Sequence, residues 1–77
     1  MRAEPLIEMA NQIAAFFAAY PDRDEAVESV AQHVAKFWEP RMRRAILAAL
    51  DTPAGDALSP LAAEALRSHR AQLTPAG

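Results

Sequence analysis

Six prolines, Pro5, Pro21, Pro40, Pro53, Pro60 and Pro75, constrain this 77-residue chain more than any other feature. Proline inside a helix removes a hydrogen bond and clashes with the preceding turn, so helices have to fit between these positions or begin at them. Alanine is abundant in the intervals, and apolar residues recur there at three- and four-residue spacing. The result is an all-α reading: a small bundle of three to four helices in a single domain over 1–77, with helices near 4–19, 22–38, 40–50 and 60–73.

The first helix carries Leu6, Met9, Ala10, Ile13, Phe16, Phe17 and Tyr20 on one stripe, read as the inward face. Pro21 stops it. Asp22 followed by Glu25 forms a capping box at the start of the second helix, whose apolar face holds Ala26, Val27, Val30, Val34, Phe37 and Trp38. Pro40 drives the residue before it out of helical geometry while itself suiting a first helical position. Glu39 is therefore a one-residue elbow, and the second and third helices meet at a sharp angle. Met42, Ile46, Ala49 and Leu50 turn inward from the third helix. Residues 51–58, with Pro53 and Gly55, read as a loop. Ser59 caps a last helix that opens on Pro60 and sets Leu61, Ala65, Leu66, His69 and Leu73 on or near one side.

Composition narrows the function classes. Eight Lys and Arg stand against ten Asp and Glu, a net charge of −2, which is not the basic excess of a general nucleic-acid binder. Cysteine is absent, so neither a disulfide nor a thiolate metal site is available. The longest uncharged run, between Glu8 and Asp22, is thirteen residues and contains Asn11 and Gln12, short of the roughly 20 apolar residues of a membrane span. His33 and His69 lie on different helices with no acid at ligand spacing. Ser59 is accounted for as a cap, and Gly55 and Gly77 cannot make a phosphate loop. No catalytic, cofactor or metal constellation emerges, and a domain this small gains from a stabilising partner.

Two features point to that partner. From Met9 to Pro21 the first helix bears no charge on any side. A helix apolar all round is normally buried all round, so the side opposite Ile13, with Asn11, Ala15 and Ala18, is expected to meet another protein. Asn11 has a competing role, since its amide could instead hydrogen-bond between helices of the same domain. The second feature is Arg41, Arg43 and Arg44 in the first turn of the third helix, where the macrodipole is positive and each cation costs about 0.3–1 kcal/mol. Glu39 is expected to offset this by capping the turn and pairing with Arg43. The arginines, with Trp38 at the elbow, are candidate grips on a partner's carboxylates or phosphates.

Two stretches are more specific: Met9-Ala-Asn-Gln-Ile-Ala-Ala-Phe-Phe17 closing with Tyr20-Pro21, and His33-Val-Ala-Lys-Phe-Trp-Glu-Pro-Arg-Met-Arg43, followed by Ile46-Leu47 and by Leu58-Ser-Pro-Leu61. Together they resemble the delta subunit of bacterial NAD-dependent formate dehydrogenases, from about Leu6 to Leu73, with Lys36–Arg43 the most distinctive part. The resemblance implies a cytoplasmic accessory subunit that supports assembly, stability or cofactor insertion. Its partners would be the larger subunits, chiefly the molybdenum or tungsten catalytic chain. The pterin cofactor, iron–sulfur clusters and flavin would all belong to those chains and none to this one. The outline of a helix-turn-helix DNA-binding regulator, suggested by the tight elbow and its arginines, and a transient maturation chaperone are the alternatives.

Overall fold

A computed structural model describes residues 2–76. Helix α1 spans Ala3–Phe17, α2 Arg23–Phe37, α3 Pro40–Leu50, α4 Pro60–Ser68 and α5 Arg70–Leu73; Pro53–Ala57 form a 3-10 turn between α3 and α4. The fold is the all-α bundle expected, and no strand occurs among the described residues. Gly77, the end of the tail, lies outside them.

The helix starts follow from their caps. The Asp22 carboxylate accepts from the backbone N–H groups of Asp24 at 2.9 Å and Glu25 at 3.5 Å, quenching two of the donors a helix start leaves open. Ser59 Oγ accepts from the Ala62 N–H at 3.4 Å, with Pro60 in the first turn. The elbow takes two residues instead of one. Helix α2 ends at Phe37, Trp38 becomes extended (φ −91°, ψ 135°), and Glu39 precedes Pro40. That turn of backbone sends the Trp38 ring into the core, where it is 5% exposed, and leaves Phe37 outside.

Two further departures from the sequence reading have local causes. Residues 53–57 are a 3-10 turn, closed by the Leu58 N–H donating to Gly55 O at 3.1 Å. The last helix breaks at His69 (φ −113°, ψ 24°), separating α5 from α4. Just before the break Ser68 Oγ donates to Glu64 O at 2.6 Å, a back-bond that bends helices.

The core joins Leu6, Ile7, Ala10 and Ala14 of α1 to Val27, Val30 and Val34 of α2, Ile46 and Leu50 of α3, Leu61 and Leu66 of α4 and Leu73 of α5. Helix α1 packs against α2, α3, α4 and the 3-10 turn. Its inward face is centred between Ala10 and Ala14, 1% and 2% exposed, not on Ile13. The wheel is turned by roughly 80° from the sequence expectation. Small side chains at the crossing let the helices approach closely, and the turn that brings them inward carries Met9, Phe16 and Tyr20 out.

Candidate functional site

The residues expected to meet a partner fall into three environments. Asn11 is committed inside the chain: its Nδ2 donates to Ala57 O at 3.0 Å and its Oδ1 accepts from the Ser59 N–H at 2.8 Å. The amide thus ties the middle of α1 to the joint between the 3-10 turn and α4, and satisfies a backbone donor at the start of α4. Ala15 and Ala18 are exposed, as is Ala19. Ala15 and Ala18, with Asn11, Ala14, Arg23, Ser59, Pro60 and Leu61, line a shallow hollow between α1 and α4. At the elbow Trp38 is core, so its ring is not offered to a partner.

The arginines diverge. Arg41 and Arg44 lie at the surface, and Arg43 is half-buried, its Nε shielded from solvent without an acceptor. Glu39 makes no side-chain capping hydrogen bond, and no acid occupies the first turn of α3. The offset expected from a Glu39 cap is therefore not realised.

What the sequence reading missed is a cluster of rings. Phe16 and Phe37 are 72% and 69% exposed, and Tyr20 is 38% exposed. They are connected through Phe17 and His33. Phe17 meets Phe16 edge-on at 5.1 Å between centroids and Tyr20 at 5.4 Å. His33 stands 6.3 Å from Phe17 and 4.8 Å from Phe37. Half-buried Phe17 and His33 form the base, and a hollow beside them is lined by Phe17, Ser29, Gln32, His33 and Lys36. The sequence placed Phe16, Tyr20 and Phe37 on inward stripes because large apolar residues are usually inside. No charge after Glu8 marks which side of α1 is wet.

Elsewhere the polar groups are structural. Arg23 Nε and Nη2 both donate to Glu64 Oε1, at 3.0 and 2.8 Å, linking α2 to α4. The Arg70 guanidinium grips the Asp51 carboxylate through two bonds of 3.1 and 3.2 Å. That hydrogen bonding and the positive charge of Arg70 hold the Asp51 carboxyl below the ordinary aspartate range. His69 Nδ1 lies 3.1 Å from Gln72 Oε1 within its own turn. Among the described residues no group of three His, Cys, Asp or Glu side chains converges as a metal site would require.

No helix among the described residues is long and apolar enough to cross a membrane. Neither a curated protein nor a solved structure matches the chain. The sequence profile of the NADH-dependant formate dehydrogenase delta subunit FdsD does match, over residues 5–66, and by that match the chain belongs to the formate dehydrogenase delta subunit family.

Proposed function

We propose that this chain is a non-catalytic accessory subunit that binds a larger subunit of an NADH-dependent formate dehydrogenase, chiefly the molybdenum- or tungsten-bearing catalytic chain, in the cytoplasm. There it supports assembly, stability or cofactor insertion. The observation that carries the reading is the outer surface of α1 and of the turn that follows it, in a member of a delta-subunit family: Ala15, Phe16, Ala18 and Ala19 are open to solvent, and no charge occurs anywhere from Met9 to Pro21. Solvated helix faces are rarely free of Lys, Glu, Arg and Asp. Exposed apolar surface of this kind marks protein contact, and burying a phenylalanine contributes about 1.5–3 kcal/mol.

The reaction's cofactors are assigned to the larger chains. Iron–sulfur clusters are held by cysteine thiolates, and this sequence has none. Arg41, exposed at the start of α3, is assigned a grip on carboxylates of the larger subunit, for which a planar guanidinium is suited.

Co-expression tests the reading. Tagged chain is expected to retain the catalytic subunit on an affinity column. Ala15→Glu and Ala18→Glu are expected to leave the isolated fold intact while abolishing that capture, and Arg41→Glu to weaken it. Recovery of no dehydrogenase subunit with the wild-type chain contradicts the proposal. Stoichiometric presence in the purified active enzyme favours a resident subunit over a maturation factor that departs.

A further inference from the structure

We infer that α5 is a strap that opens and closes as a unit over an apolar seat beside α2 and α4, while the rest of the bundle stays folded.

Three observations support it. First, α5 is held by far less than any other helix. Helices α1 and α3 each bury four side chains and α2 and α4 five, whereas α5 buries Leu73 alone. Arg70, Ala71, Gln72 and Thr74 are exposed. The other tie of the segment, the Arg70–Asp51 ion pair, lies in water, with 44% and 67% of the two side chains exposed. A pair of that kind contributes little. Segments with few buried apolar contacts open at a lower free energy than the whole molecule.

Second, the backbone of α5 is already parted from α4. The His69 N–H donates to Ala65 O at 3.2 Å as the cap of α4. Beyond it the Leu73 and Thr74 N–H groups donate to His69 O at 3.0 Å and Arg70 O at 2.9 Å. The Thr74 hydroxyl also turns back to Arg70 O, and His69 faces Gln72. These bonds stay within the segment and its hinge, so α5 can leave without unwinding α4.

Third, α5 is undercut on both sides. Arg70 and Thr74, about one helical turn apart, line a hollow with Leu47, Ala48 and Asp51. Gln72, on the opposite side of that turn, lines another with Gln32, Ala35 and Lys36. Leu73 is the tooth between the two hollows and is fully enclosed. Lifting α5 joins them and opens the seat of Leu73 to solvent, with α1–α4 intact.

Amide hydrogen exchange of the intact chain, resolved by residue with NMR over a series of low urea concentrations, tests the strap. The Leu73 and Thr74 amides are expected to exchange more slowly than an unstructured peptide, yet at least about 30-fold faster than those of Val30 and Val34. Their exchange is expected to depend little on urea, because opening so short a segment exposes little surface. Asn11→Ala removes hydrogen bonds from α1 to Ala57 and Ser59, which persist whether the strap is open or closed. It is expected to speed exchange at Val30 and Val34 and to leave Leu73 and Thr74 unchanged.

Exchange at Leu73 and Thr74 that matches Val30 and Val34 in rate and urea dependence, or that Asn11→Ala accelerates equally, means that α5 leaves only when the whole chain unfolds. That result overturns the inference. Exchange of both amides at the unstructured rate overturns it too, since no closed strap then exists in solution.

Discussion

At the scale of single residues, two positions hold the chain's connections together. The Asn11 amide spends both its donor and its acceptor on backbone between the 3-10 turn and α4. Asn11→Ala leaves the Ser59 N–H and Ala57 O without that partner, and is expected to cost about 1–3 kcal/mol in urea denaturation. Gly55 is confined by close approach: a Cβ there would lie 2.8 Å from Ala49 O and 3.0 Å from Leu50 O. Both obstacles are backbone, so Gly55→Ala is expected to destabilise by about 1–3 kcal/mol, measured the same way. The internal role of Asn11 was legible as one of two options for a polar side chain on an apolar helix. The crowding at Gly55 was not, because it depends on how the 3-10 turn folds back on the end of α3.

Among the elements, those with chemical punctuation were legible and those without it were not. Asp22, Pro40 and Ser59-Pro60 announce helix starts, and the helices begin at or next to them. The orientation of α1 had no such marker, since its last two turns carry neither charge nor proline, and two overlapping apolar stripes compete. The core chose the stripe with Ala10 and Ala14 because close helix crossings favour small side chains. Large residues were thereby left for the surface.

The break at His69 was likewise invisible to periodicity, but it gives α5 its own attachment, the Arg70–Asp51 ion pair. Asp51 has its folded-state pKa depressed by Arg70, so the stability it contributes is present above the unfolded aspartate value and is lost as pH falls through the folded one. Acidification from about pH 5 to pH 3 should therefore destabilise the wild type more than Arg70→Gln. The difference should be small, because both partners are exposed and screened by water. Thermal melts across that range measure it, and an equal loss in both proteins would remove the ion pair from the account.

For the molecule as a whole, the radius of gyration is 11.2 Å, close to the roughly 11.5 Å of a compact chain of this length. Leu66, Leu73, Ile46, Val30 and Val34 are fully enclosed, so the interior closes without help from outside. A partner is then needed to cover surface rather than to complete the core. That separates the effect of surface changes on assembly from their effect on folding.

The account's central claim is that a larger subunit covers the uncharged outer surface of α1 around Phe16. Hydroxyl-radical footprinting of the chain alone and within the assembled enzyme tests it directly. Phe16, 72% exposed, is expected to oxidise readily in the isolated chain and to be strongly protected in the complex. Equal oxidation of Phe16 in the two states would contradict it.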